Sequence, residues 1–102
     1  MTHDTVPEVY QFHVWIRQIT PMIWRRLLVR SNSSLADLHA IIQIAFGWSN
    51  THLHRFRIHG RDYGISRVGG LWFSQDARTV RLDSFQFRLN EQFLYEYDLR
   101  DS

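Results

Sequence analysis

Cysteine and lysine are both absent from this sequence of 102 residues. Without cysteine, the chain can form no disulfide bond, no thiolate zinc site and no cysteine nucleophile. Without lysine, it can form neither a lysine Schiff base nor a P-loop phosphate site. All twelve basic residues are therefore arginine, and the net charge of +2 is too small to indicate nucleic-acid binding by itself.

Long apolar runs and targeting segments are also missing. No stretch approaches the roughly 20 apolar residues that a membrane span requires. The first five residues lack the basic and apolar regions of a signal peptide. We therefore expect no membrane contact and a cytoplasmic location. The apolar fraction of 44% is typical of a folded chain, and the length predicts a single domain over residues 1–102 with one modest core.

The sequence pattern predicts one helix. Ser34 is a suitable N-cap, Asp37 stands three positions later as in a capping box, and apolar residues then recur with helical spacing. Gly47 follows the last of them and suits the left-handed conformation that ends many helices. His39 borders the apolar face and Ile44 points away from it. The residues expected on the buried face are Leu35, Leu38, Ile42, Ala45 and Phe46.

Alternating polar and apolar residues predict strands on both sides of the helix. Strands are expected at residues 9–19, 23–29, 52–59, around Tyr63 and at 93–99, with a short extended piece at 78–83. The first two form a hairpin with Pro21 in its turn. The predicted fold is α+β, with a single helix packed on a mixed, mostly antiparallel sheet. The order of elements is similar to the β-grasp of ubiquitin-like domains, an analogy that implies no function.

The predicted core joins the helix to three strands. It consists of Phe12, Val14, Leu38, Ile42, Phe56, Ile58 and Tyr95. Trp48 stands between the end of the helix and the third strand, so we expect it to be packed at that junction.

Three histidines are candidate metal ligands. His52 and His54 lie on the same side of their strand because side chains alternate with a period of two. His39 could supply a third imidazole from the helix, and imidazole is a common ligand of Zn²⁺. The alternative is that these histidines bond to backbone or carboxylate groups inside the fold. The sequence contains neither an HExxH nor a GxSxG motif to support hydrolytic chemistry.

Arginine and aromatic side chains are predicted to share the face of the sheet that the helix leaves uncovered. Alternation assigns to it His13, Trp15, Arg17, Trp24, Arg26, Arg55 and Arg57. Arginine interleaved with tryptophan suits phosphate contact and base stacking. The same residue types are enriched at the centre of protein interfaces. The alternative is that Glu96 and Asp98 of the last strand pair with these arginines.

Short motifs spread along the chain carry a family resemblance. They are Ile23-Trp24-Arg25-Arg26, Leu38-His39, Gln43, Gly47-Trp48, His52-Leu53-His54-Arg55-Phe56 and Tyr95-Glu96-Tyr97-Asp98. With these motifs the chain resembles the plasmid ORF-three-like family from about residue 10 to residue 102. The resemblance implies a passenger protein of insertion elements and no established activity. Members usually continue the last strand as Phe-Gly-Asp-Ser-Trp. Here Leu99-Arg100 replaces Phe-Gly and the sequence stops after Asp101-Ser102, which indicates a fragment or a shortened member.

Two functions follow as predictions. The first is a small cytoplasmic binding module of mobile-element or phage-like origin that contacts a protein or a nucleic acid. Its binding residues would be Trp15, Trp24, Arg17, Arg26, Arg55 and Arg57. The alternative is a metal-dependent hydrolase that uses His39, His52 and His54 and takes a divalent metal as cofactor.

Overall fold

The computed structural model describes residues 8–17, 20–49, 53–64 and 75–97. In these residues the chain is an α+β fold with one helix and two small sheets. In chain order the elements are β1 (Val9–Trp15), β2 (Trp24–Arg30), α1 (Leu35–Phe46), β3 (His54–Ile58), β4 (Arg61–Gly64), β5 (Gln75–Asp76) and β6 (Leu94–Tyr97). Two 3₁₀ turns, Ala77–Thr79 and Leu82–Phe85, lie between β5 and β6. Within this part of the chain, no helix is long and apolar enough to cross a membrane.

The described strands form two sheets instead of the single sheet that the sequence predicted. β1 pairs with β2 in an antiparallel hairpin, and the second sheet has the order β5-β4-β3-β6. In the second sheet only the β4–β5 pair is parallel. Because β1 pairs only with β2 and β6 only with β3 among these strands, the β-grasp order is not shown. Alternation identifies the faces of each strand but not its partners, which depend on contacts between distant segments.

The helix begins and ends as predicted. The side chain of Ser34 accepts a hydrogen bond from the backbone N–H of Asp37, and the Asp37 carboxylate accepts one from the backbone N–H of Ser34, both at 3.0 Å. At the other end Gly47 adopts φ 71°. Its N–H donates to Ile44, and the N–H of Trp48 donates to Gln43, which is the Schellman arrangement. Local sequence therefore determines both helix ends.

The start of the helix is tied to the segment between the two 3₁₀ turns. The N–H of Leu35 donates to the carbonyl of Val80 at 2.9 Å, and the N–H of Leu82 donates to Ser33 at 2.8 Å. The N–H of Asp83 also donates to Ser31 at 2.9 Å. The prediction of an extended piece at residues 78–83 was wrong for most of its length, because this segment turns twice to bring its amides beside the helix.

The core lies between the helix, β2, the second sheet and the 3₁₀ turns. Its buried apolar residues are Leu27, Val29, Leu35, Leu38, Ile42, Phe56, Ile58, Tyr63, Ala77, Val80 and Leu82. The prediction for Leu38, Ile42, Phe56 and Ile58 is confirmed. Phe12, Val14 and Tyr95 pack against this core but are only partly buried. The helix periodicity is confirmed as well, since Ile44 is 81% exposed.

Candidate functional site

The hairpin presents one complete face to solvent. Its register places four cross-strand pairs on that face: Val9 with Arg30, Gln11 with Leu28, His13 with Arg26, and Trp15 with Trp24. All eight residues are exposed, while Leu27 and Val29 on the opposite face are buried in the core. We call these eight residues the hairpin outer face.

One end of the hairpin outer face is an aromatic group. The ring of His13 lies 4.7 Å from that of Trp24 at 55°, and 5.8 Å from that of Trp15 in an edge-to-face contact. The guanidinium of Arg26 lies over the ring of Trp24, 5.8 Å from its centroid. These contacts hold the four side chains against one another on an exposed surface, so that little conformational entropy remains to be lost on binding.

The other end of the hairpin outer face combines aliphatic and cationic groups. Leu28 is 67% exposed and Val9 is also exposed. Neither Arg30 at this end nor Arg26 at the aromatic end makes an ion pair with any residue that the structure describes. Arg17 is exposed but lies beyond the end of β1. The face is thus apolar and positively charged, and none of its eight residues is acidic.

Arg55 and Arg57 lie on β3 in the second sheet, whereas the hairpin outer face belongs to the first, which corrects the prediction of one sheet that carries both groups. The Nε–H of Arg55 donates to Glu96 at 2.8 Å, and Asp62 lies 3.7 Å from the same guanidinium. Arg57 pairs with Asp62 at 3.1 Å. The predicted pairing with Glu96 is therefore present, while Asp98 is outside the described residues. Carboxylates on β4 and β6 already occupy both guanidinium groups.

His39 and His54 meet inside the fold. Their rings stack at a centroid distance of 3.5 Å with 9° between the ring planes, and only 5% and 7% of the two residues is exposed. His39, which the sequence placed at the border of the apolar face, is thus buried. The third candidate ligand, His52, is outside the described residues.

This stacking does not provide two ligands for one metal ion. An ion lies in the plane of each imidazole that binds it, about 2.0–2.1 Å from the nitrogen. Parallel rings separated by 3.5 Å have no such position in common. In the described ranges, no group of three or more histidine and carboxylate side chains could hold a metal ion.

Two residues outside the predicted site also belong to this polar cluster. The hydroxyl of Tyr95 accepts a hydrogen bond from Nε2 of Gln43 at 2.9 Å and bonds to Nδ1 of His39 at 2.7 Å. Burial raises the pKa of the Tyr95 hydroxyl well above its ordinary value. Gln43 lies four positions after His39 and so shares its side of the helix, a spacing that could have identified it from the sequence.

Trp48 occupies the junction after the helix, as predicted. Its indole stacks on Phe46 at 4.9 Å and on Tyr97 at 5.3 Å, with interplanar angles of 19° and 10°. The guanidinium of Arg25 covers the ring of Phe46 at 5.3 Å, and its Nε–H donates to the carbonyl of Ala45. The stack joins β2, the end of the helix and β6, and it serves to hold these elements together.

Comparison with known proteins gives matches over nearly the whole chain. Residues 8–102 match the family described as "Plasmid pRiA4b ORF-3-like protein". The uncharacterized protein y4hQ of Sinorhizobium fredii (strain NBRC 101917 / NGR234) is 34% identical over 99 residues, which cover 94% of this chain and 50% of that protein. A crystal structure of the protein of unknown function MM3350 from Methanosarcina mazei Go1 is similar with a TM-score of 0.76 and 35% identity. That match covers 93% of this chain and 55% of the archaeal chain. The chain therefore spans about half the length of these two relatives.

Proposed function

The chain belongs to the plasmid pRiA4b ORF-3-like family, and we propose that it is a small protein-binding module that uses the hairpin outer face. One observation carries the proposal: all eight residues of this face are exposed, although four of them are large and apolar. Contiguous exposed apolar surface on a folded chain marks an interaction site. The mobile-element setting that the resemblance implies belongs to the same proposal.

The composition of the hairpin outer face defines the chemistry of its partner. Trp15, Trp24 and Arg26 are of the types that contribute most of the binding energy at protein interfaces. Arg26 and Arg30 pair with no carboxylate in the described part of the chain, and they favour a negatively charged partner. Leu28 and Val9 add aliphatic area that requires an apolar counterpart. We therefore infer a polypeptide segment that carries both carboxylate and apolar side chains.

A protein fits this face better than a nucleic acid does. Nucleic-acid affinity rises with the number of phosphates that basic residues neutralise. Arg55 and Arg57, which the sequence placed in the same surface, are neutralised by Asp62 and Glu96 in the second sheet. Only Arg26 and Arg30 remain on the hairpin outer face. The metal-dependent hydrolase has little support, because the stacked rings of His39 and His54 have no position for a metal ion in common.

Selection from a phage-displayed peptide library on the purified protein tests the proposal. Enriched peptides should carry Asp or Glu together with apolar residues. Their affinity should fall about tenfold or more in Trp24→Ala and in Arg26→Gln, because hot-spot side chains contribute at least 1–2 kcal/mol each. The matched control is Arg61→Gln, an exposed arginine of β4 that lies outside this face, and it should keep full affinity.

Two outcomes would contradict the proposal. The first is a selection without enrichment, or peptides that bind Trp24→Ala as tightly as the unchanged protein. The second is tight binding of short DNA or RNA at low salt, with a salt dependence that weakens in Arg26→Gln. Each phosphate contact contributes about 0.7–0.9 to the log–log slope, so the second result would assign the face to nucleic acid.

A further inference from the structure

A separate, open pocket of about 620 Å³ lies between the turn after β3 and residues 85–91. Its volume falls within the range of small-molecule sites. His59 lines one side, while Phe85, Arg88 and Glu91 line the other. The pocket shares no residue with the hairpin outer face, and the protein-binding proposal gives it no role.

The backbone around this pocket is held in an uncommon conformation. Three non-glycine residues of the described chain have positive φ: His59 at 51°, Gln86 at 53° and Asn90 at 66°. All three line the pocket. A left-handed backbone is uncommon for non-glycine residues, although histidine and asparagine adopt it more often than most. Such conformations cluster at binding and active sites, where the surrounding structure maintains them.

A hydrogen bond between two side chains joins the two sides of the pocket. Nε2 of His59 lies 2.5 Å from a carboxylate oxygen of Glu91, and the other oxygen accepts the backbone N–H of Arg88 at 2.9 Å. Both hydrogen bonds lower the pKa of the Glu91 carboxyl, and the bond from the backbone N–H of Arg88 has the larger effect. Because an ionised carboxylate can only accept, Nε2 of His59 carries the proton. Glu91 therefore holds the imidazole, and each of its two carboxylate oxygens has a hydrogen-bond donor.

Apart from the amides of Gln86 and Asn90, the remaining groups of the pocket are cationic and apolar. Arg88 makes no ion pair with any residue in the described ranges. Phe85 stacks on Phe87 at 5.2 Å, and His59 contacts both rings edge-on at 5.8 and 6.2 Å. Leu89 is 92% exposed at the rim. A ligand here would meet one exposed guanidinium and a wall of aromatic and aliphatic carbon.

We propose that this pocket binds a small organic anion, with a carboxylate or phosphate group attached to an aromatic or apolar body. The guanidinium of Arg88 pairs with the anionic group, since its planar donors match carboxylate and phosphate oxygens. The body of the ligand packs against Phe85 and Leu89. Both carboxylate oxygens of Glu91 already accept a hydrogen bond, one from His59 and one from the amide of Arg88, so neither is left unpaired toward the ligand.

Titration followed by ¹H–¹⁵N correlation spectra tests the site, with benzoate, phenyl phosphate and inorganic phosphate as probes at constant ionic strength. Benzoate or phenyl phosphate should produce saturable shifts at residues 85–91 and at His59. Inorganic phosphate should bind about tenfold more weakly, because it lacks the apolar body. Arg88→Gln should weaken the binding of the organic anions by a similar factor. The control is Arg81→Gln, whose arginine pairs with Asp83, and it should leave their binding unchanged.

The proposal is overturned by either of two results. Shifts that stay linear up to about 10 mM would show that no specific site exists. Equal binding of all three probes, or equal binding by Arg88→Gln and the unchanged protein, would remove the assignment of an organic anion paired with Arg88. Both variants replace exposed side chains, and the dispersion of their spectra verifies that they are folded.

Discussion

His39 and His54 hold their imidazole rings face to face, 3.5 Å apart, although one belongs to the helix and the other to β3. Tyr95 extends the contact to β6, because its hydroxyl bonds to Nδ1 of His39 and to the amide of Gln43. A polar cluster therefore links the helix to the second sheet. Buried hydrogen-bonded networks of this kind are directional, so they restrict how the helix can sit on the sheet.

The first prediction concerns this cluster. Tyr95→Phe removes a hydroxyl that two buried side chains contact, and it should lower the free energy of unfolding by about 1–3 kcal/mol. Urea denaturation of the variant measures the loss. Tyr10→Phe is the matched control, because the Tyr10 hydroxyl bonds to no residue that the structure describes, and its effect should be small. Equal effects of the two substitutions would argue against a structural role for the hydroxyl bonds.

The second prediction concerns alkaline pH. Burial raises the pKa of Tyr95 in the folded chain, whereas in the unfolded chain it titrates near about 10. The unfolded state therefore loses this proton first. The protonated Tyr95 hydroxyl therefore makes its full contribution to the free energy of unfolding below about pH 10, and this contribution declines as the pH rises further. Urea midpoints measured between about pH 8 and pH 11 should fall more steeply for the unchanged protein than for Tyr95→Phe. Parallel curves would contradict the assignment.

The third prediction concerns the buried face of the helix. Ile42→Ala should cost about 2–5 kcal/mol, because Ile42 is buried in the core and the truncation leaves a cavity. Ile44→Ala, two positions away and 81% exposed, should change stability by no more than about 0.5 kcal/mol. Chemical denaturation of the two variants compares the buried and exposed faces of the helix directly. Similar losses of stability in both variants would contradict the orientation of the helix.

The fourth prediction concerns Trp48. Its ring is half-buried between Phe46 and Tyr97, so Trp48→Ala should destabilise the fold by about 3 kcal/mol, the lower end for large aromatic truncations. Trp48→Phe keeps a ring in the stack and should recover most of the loss. If the alanine variant unfolds at the same denaturant concentration as the unchanged protein, the stack does not hold the junction.

The fifth prediction concerns Asp76. Hydrogen bonds from the side chain and the backbone N–H of Arg78 lower the pKa of this carboxyl to about 2. Its contribution to stability is present above the ordinary pKa of about 3.9 and disappears as the pH falls toward 2. An NMR titration of the carboxyl should place its midpoint near pH 2, and Arg78→Gln should move it upward. A midpoint unchanged by Arg78→Gln would contradict the side-chain bond.

Local features of this fold could be predicted from the sequence, and features that depend on distant segments could not. Ser34, Asp37 and Gly47 define the helix ends through neighbours within four residues. The alternation around Phe56 and Ile58 likewise gave the correct buried face of β3. The prediction of one sheet failed because strand pairing depends on non-local contacts.

In the candidate site, too, local features could be predicted and features that depend on distant segments could not. Trp15, Trp24 and Arg26 are neighbours in a hairpin that a short connection brings together, so their grouping followed from the sequence. Arg55 was assigned to the same surface only because a single sheet was assumed. The pocket at His59 and Glu91 was not predicted, because it depends on contact between the turn after β3 and residues 85–91, which lie far apart in the sequence.

The three backbone hydrogen bonds between the helix start and the segment near Val80 have a consequence for hydrogen exchange. The donors are the amides of Leu35, Leu82 and Asp83, and the segments that they join lie far apart in the sequence. Each bond joins the start of the helix, or the residues just before it, to the segment near Val80, so it lasts only while the two segments stay packed together. Their amide protons should therefore exchange with solvent together, at the rate set by cooperative opening of the core. The helix and the 3₁₀ turns would then form one unfolding unit despite the residues that separate them.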